Sequence, residues 1–164
     1  MNSLEDLQRL LNRAAAEIPA KALRVIGVEG KNFIGKNFRD ESFTDSSSVE
    51  WAKRKTTDRK GRDLTRYRTN RRGAAGSLTR FGQRNEGRAT LVGFDTGGNK
   101  LKNSFQYRIS IGSTQVTFYT SKGYAQKHNE GLSGMPRRQF MGQSNYLNGK
   151  ISNKISTELN QILR

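Results

Sequence analysis

A chain of 164 residues with 30 Lys+Arg against 14 Asp+Glu, a formal charge of +16, has the length of one domain and a strongly basic surface. Only 32% of its residues are apolar and none is cysteine, which leaves a small core and excludes a disulfide framework, a thiolate zinc site and a cysteine nucleophile. No run approaches the ~18 apolar residues of a membrane span and no signal-peptide pattern opens the chain, so a soluble, intracellular protein without membrane contact is expected.

Residues 3–18 read as an amphipathic helix, with Leu4, Leu7, Leu11, Ala14 and Ile18 on one face. Ser3 and Asp6 have capping-box spacing, and Pro19 is expected to end the helix. A second helix is predicted over 20–38, where Leu23, Ile26, Phe33, Ile34 and Phe38 are in phase and Gly27, Gly30 and Gly35 weaken the signal.

Composition changes abruptly after that. Residues 39–48 are polar and serine-rich, and 52–90 hold thirteen basic residues (Lys53, Arg54, Lys55, Arg59, Lys60, Arg62, Arg66, Arg68, Arg71, Arg72, Arg80, Arg84 and Arg88) against Asp58, Asp63 and Glu86. A stretch this polar and self-repelling does not offset its own ordering entropy. Residues 40–90 are therefore expected to form a long basic loop or arm on a single domain spanning 1–164. Arginine outnumbers lysine in it, and guanidinium groups make forked contacts with phosphate or carboxylate. Arg62, Arg66, Arg68, Arg71, Arg72, Arg80 and Arg84 are the residues expected to meet DNA or an acidic partner. Nothing in the arm resembles a base-reading motif, so such contact is expected to ignore sequence.

Residues 105–111 alternate, with Phe105, Tyr107, Ile109 and Ile111 on one side. Gly112 and Ser113 suggest a two-residue turn, and 114–120 the returning strand with Val116 and Phe118 inward. Another strand is suggested over 89–94, and a short helix over 121–129 precedes a turn at 131–134. Leu147, Ile151, Ile155, Leu159 and Ile162 then mark an amphipathic helix over 143–164. The expected fold class is α+β, an antiparallel hairpin-centred sheet packed against N- and C-terminal amphipathic helices.

Few motifs point to chemistry. Residues 30–37 have the G-x4-G-K spacing of a phosphate loop, but Asn37 stands where Ser or Thr would ligate Mg²⁺ and no parallel β/α pattern follows. A tandem Gly-Lys-Asn-Phe repeat with inward aromatics explains these residues better. His128 is the only histidine and lacks a second metal-ligand residue at useful spacing, so a helix-end side chain packed on the hairpin is expected rather than a base or ligand. No catalytic residue, cofactor or metal is assigned, and no enzyme is expected. An arm folded back around a polar cleft of converging side chains would redirect the reading toward an enzyme.

Several short motifs occur in a telling order. Asp95-Thr-Gly97 is followed by Leu101 and Ser104, then Tyr124-Ala-Gln-Lys-His128-Asn-Glu-Gly131, then Met135-Pro136-Arg-Arg-Gln-Phe140-Met-Gly142, with Trp51-Ala52 ahead of the arm. This order resembles the tailed-bacteriophage virion-morphogenesis, or tail-completion, family, with its T-G-x-L-x-x-S start, YA-x-x-H-x-x-G turn and (I/M)P-x-R-x-F-(L/M)G block. The chain departs from that pattern in the extra Gly98 and Asn99, in Arg137-Arg138-Gln139, and in a longer, more charged arm. The resemblance implies a non-enzymatic virion protein at the phage neck or tail. It would complete the tail or join it to the head, as a subunit of a homo-oligomeric ring (a hexamer among the sizes) around the DNA channel. Its partners would be neck, portal or tail-tube proteins and genome DNA in the lumen. It would reside in the host cytoplasm during assembly. Trp51, Gly97, Leu101, Tyr124, His128, Gly131, Pro136, Phe140 and Gly142 are its structural motif residues. The alternative is a non-specific DNA-binding module that uses the basic arm.

Overall fold

A computed structural model describes residues 4–70, 76–91, 100–112 and 114–163. Within them the elements run α1 (Leu4–Asp40), β1 (Ser42–Thr44), β2 (Ser48–Glu50), α2 (Arg80–Asn85), a 3-10 turn (Leu101–Asn103), β3 (Gln106–Ser110), β4 (Gln115–Tyr119), α3 (Ala125–Glu130) and α4 (Asn145–Ile162). Strands β1 and β2 form one antiparallel pair and β3 and β4 another, an α+β architecture.

The predicted break at Pro19 is absent: α1 runs through it. An internal proline costs a helix about 3 kcal/mol because it removes one hydrogen bond and crowds the preceding turn. Here the ring faces solvent, and α4 braces the helix on both sides of it. On one side Arg13 Nη2 donates to the Ile162 carbonyl at 2.5 Å, and on the other Lys21 pairs with Glu158 at 3.9 Å. Farther along, Lys154 meets the buried Glu29 at 2.6 Å and Tyr146 lies 6.3 Å from Phe33, so the two helices are antiparallel. Leu147, Ile151, Ile155, Leu159 and Ile162 turn toward α1, as their spacing predicts. The expected apolar face at the start of α1 is not covered. Because α4 ends opposite Arg13, the nine residues before it project about 13 Å at the helical rise, and Leu4 and Leu11 remain 81% and 55% exposed.

The β3–β4 hairpin lies across the second half of α1. Tyr107 pairs with Phe118 and Ile109 with Val116, all four half-buried. Gly27 and Gly30 let it approach: a Cβ at Gly27 would overlap the Tyr107 ring, and one at Gly30 the Phe118 ring. These glycines weaken the helix locally and permit the packing of sheet on helix. The turn is longer than the expected two residues, since Ser110 pairs with Gln115, and Ile111 leaves the inward face to stand 65% exposed. Ser113 lies outside the described residues. Residues 89–91 are not a strand, and 92–94 lie outside the description.

The core gathers Ile34 and Phe38 from α1, Trp51, Leu101, Phe105, Ala125 and Phe140. The β1–β2 pair went unforeseen because its strands are three residues each, too short for periodicity to register. It seats α4: the Ser144 hydroxyl donates to the Thr44 carbonyl at 2.8 Å and accepts from the Leu147 N–H at 3.1 Å, while the Asp45 carboxylate accepts from the Asn145 N–H at 2.6 Å.

Candidate functional site

Most of the described motif residues meet at one junction. Phe140 stacks on Phe38 at 5.0 Å and sits 5.2 Å from Phe105, and Trp51 approaches Phe38 edge-on at 5.3 Å. Leu101 is fully buried beside them. The Trp51 Nε1 donates to the Gln139 carbonyl at 2.7 Å and the Arg138 Nε to the Ala52 carbonyl at 2.9 Å, so the Trp-Ala pair and the 135–142 block are stitched together in both directions. Asn37, fully buried, donates to the Phe140 carbonyl at 3.2 Å. The 30–37 stretch is thus helix, its aromatic Phe33 and Asn37 buried, and no phosphate loop exists there.

Gly131 caps α3 in the left-handed conformation, φ 76°, where its N–H and that of Leu132 both reach the Lys127 carbonyl. Asn129 Oδ1 then accepts from the N–H groups of Phe140 and Met141 at 3.0 Å each. Tyr124 and His128 meet ring edge to face at 6.0 Å. The His128 carbonyl accepts from the Arg138 N–H at 2.8 Å. Burial and then the Arg138 charge hold the imidazole pKa below its ordinary 6.5. The histidine therefore belongs to the junction with the 135–142 block. Pro136 is exposed at the entry to that block and Gly142 at its exit; Gly97 lies outside the described residues.

The described parts of the arm, 40–70 and 76–90, are held by local polar contacts. The first turn is closed by the Asp58 carboxylate, which accepts from the N–H groups of Lys60 and Arg62 at 2.8 and 2.9 Å and from Arg62 Nε at 2.6 Å. Those bonds, the Arg62 N–H foremost, lower the Asp58 pKa. Farther along, Tyr67 is buried against Phe81 at 5.7 Å, and its hydroxyl accepts from Arg54 at 2.8 Å. Helix α2 is capped by Thr79 and rests on the Tyr67 backbone through Gly82. Polar side chains bonding back to nearby backbone give this stretch an order that apolar periodicity does not register.

Of the seven arginines expected to contact a partner, Arg62 is engaged by Asp58, and Arg68 by Glu86 at 3.1 Å and the Gly76 carbonyl at 3.2 Å. Arg66, Arg80 and Arg84 are exposed and have no carboxylate partner among the described residues. Arg71 and Arg72 lie outside the description.

At the base of the arm a polar cleft of about 350 Å³ is lined by Glu41, Lys53, Arg54, Thr56, Arg88 and their neighbours. Described residues from both ends of the arm line this cleft, but the side chains that converge in it are mainly cations and not the paired acid and base that would redirect the reading toward an enzyme. Among its described lining residues the carboxylate, Glu41, accepts from the Thr90 N–H and hydroxyl, and the Tyr67 hydroxyl accepts from Arg54. Arg138, only 8% exposed, donates to the Ala52 and Lys53 carbonyls. The contacts of Arg138 and Arg54 were not foreseen in the sequence. A signal for Arg138 existed: in a segment extended by Pro136, positions 138 and 140 share a side, and Phe140 faces the core.

Among the described residues no group of three or more His, Cys, Asp or Glu is placed to hold a metal, and no helix is long and apolar enough to cross a membrane. Comparison of the chain with protein-family models, curated proteins and solved structures finds no match.

Proposed function

We propose that this chain is a structural protein of the tailed-phage neck or tail end. It works as a ring subunit around the DNA channel, completing the tail or joining it to the head. The observation that supports this is the junction itself. Trp51, Leu101, Gly131, Phe140 and their neighbours come from separate stretches of chain, and together they build the core and its seams. Motif residues that serve a scaffold suit an assembly protein better than a catalyst.

Two surfaces of the subunit fit assembly. The start of α1 carries uncovered leucines, and an interface with a neighbour would bury them. The arm presents Arg66, Arg80 and Arg84 on a folded platform toward DNA in the lumen or an acidic portal or tail-tube protein. The test is to purify particles carrying this subunit and locate it by low-resolution imaging. Density at the neck or tail end, with the protein cofractionating with particles, is expected. Absence from particles that are complete and infectious would overturn the proposal.

A second reading, a free non-specific DNA-binding module, is favoured by one observation: Arg66, Arg80 and Arg84 are exposed on the single chain, so they are presented without a ring. Binding of the isolated protein to duplex DNA with affinity falling steeply as salt rises, and no particle association, would select it.

A further inference from the structure

We infer that Arg66, Arg80 and Arg84 take the phosphate backbone of duplex DNA without regard to base sequence, an assignment that rests on the reading of the arm as a contact surface. The chain accepts an unfavourable backbone conformation at Arg66 to keep an arginine there, against the start of α2.

Arg66 stands at φ 62°, in the left-handed region where a side chain crowds its own backbone and glycine is favoured. Bonds on both sides of it hold the bend. The Asp63 carboxylate accepts from the Thr65 N–H and hydroxyl at 2.7 and 2.5 Å, and the Thr65 hydroxyl oxygen accepts from the Tyr67 N–H at 3.1 Å. The Arg66 carbonyl accepts from the Thr79 hydroxyl at 3.2 Å, and that hydroxyl in turn caps α2 by accepting from the Gly82 N–H at 3.0 Å. None of these bonds uses the Arg66 side chain, so a glycine would keep them all at less conformational cost. What arginine adds is an exposed guanidinium with no carboxylate partner among the described residues.

Helix α2 sorts its residues into two faces. Phe81, 37% exposed, packs on Tyr67 at 5.7 Å, Gly82 rests on the Tyr67 backbone and Asn85 is buried. Arg80, Gln83 and Arg84 are exposed. Arg80 and Arg84 lie four apart and share a side of the helix, where Arg84 Nε donates to the Arg80 carbonyl at 3.3 Å. Neither has a carboxylate partner among the described residues. The face made by Arg80, Gln83 and Arg84 is therefore polar and cationic. A specific protein interface is centred on a desolvated apolar core, whereas interfaces with DNA are polar and rich in positive charge. Guanidinium groups make charge-assisted bonds to phosphate oxygens, and contacts confined to phosphates carry no base readout.

The test is binding of the full chain to a short labelled duplex, followed by fluorescence anisotropy over a series of salt concentrations. Affinity should fall steeply as salt rises, and a duplex of unrelated sequence should bind within about twofold. Arg66→Gly, Arg80→Gln and Arg84→Gln should each weaken binding and lower the salt slope by about one phosphate contact. Arg24→Gln, equal in charge lost but exposed on α1, should leave the slope as in the parent. Arg66→Gly should also hold or raise the thermal midpoint while it weakens binding, which separates a residue kept for contact from one kept for the fold. A lowered midpoint in that variant overturns the role given to Arg66. The DNA assignment is overturned by absence of binding in the parent, by an unchanged slope when all three arginines are replaced, by an equal effect of Arg24→Gln, or by an acidic peptide that competes as strongly as unlabelled duplex at equal charge. Particle location tests the neck reading separately: a protein found in particles whose arginines fail these measurements overturns the DNA assignment alone.

Discussion

The indole N–H of Trp51 donates to the backbone carbonyl of Gln139 at 2.7 Å, joining residues 88 positions apart. Trp51→Phe keeps most of the ring contact with Phe38 and removes the donor, leaving the Gln139 carbonyl without this partner. A stability loss of about 1–3 kcal/mol is expected in urea unfolding, the usual cost of an unmet buried acceptor. A loss under a few tenths would mean that the seam between the Trp-Ala pair and the 135–142 block contributes little.

Glycines of α1 should respond to alanine with opposite signs. Gly35 has open space where a Cβ would stand, so Gly35→Ala should stabilise by about 0.5–1 kcal/mol through the helix-propensity difference. Gly30→Ala would meet the Phe118 ring and should destabilise by about 1–3 kcal/mol, as overpacking does. A double-mutant cycle with Phe118→Leu checks the assignment: the alanine should cost less once the ring is gone.

Neutralising Arg66, Arg80 and Arg84 together to Gln should leave the thermal midpoint within a degree or so of the parent, because none has a carboxylate partner among the described residues. Particle assembly or DNA retention should fall, with infectious yield as the readout. Normal yield would remove the arm from the proposed role.

Acid should weaken the junction through His128. Its pKa is depressed in the folded chain by burial and by Arg138, so the unfolded chain binds the proton more readily. Stability is then complete above the ordinary pKa of 6.5 and declines as pH falls through and below it. Urea midpoints between pH 7.5 and 5 should drop more in the parent than in His128→Gln. Parallel curves would show that the imidazole does not contribute.

The long periodic elements were legible in the sequence because their signals extend over many turns: Leu23 through Phe38 and Leu147 through Ile162 keep their phase and their inward faces. The alternation of Tyr107, Ile109, Val116 and Phe118 likewise survives in the hairpin. Tertiary bracing hid from local rules, so Pro19 read as a terminator when α4 holds the helix across it. The local contacts within the described parts of the arm were hidden for a related reason. They rest on Asp58, Thr79 and Tyr67 bonding to backbone and neighbouring side chains, which composition counts as mere polarity. Of the candidate site, the arginine-rich stretch was visible, whereas the Arg54–Arg138 encounter required residues 84 positions apart to meet.

The last turns of α4 hold α1 on both sides of its internal proline. Arg13 and Lys21 are gripped by the last turns of α4 on either side of a position where one rung of the helical ladder is missing. A bulky tag fused just past those turns would loosen the grip and free the leading leucines to swing about Pro19, so a fusion partner at one terminus would alter the stickiness of the other.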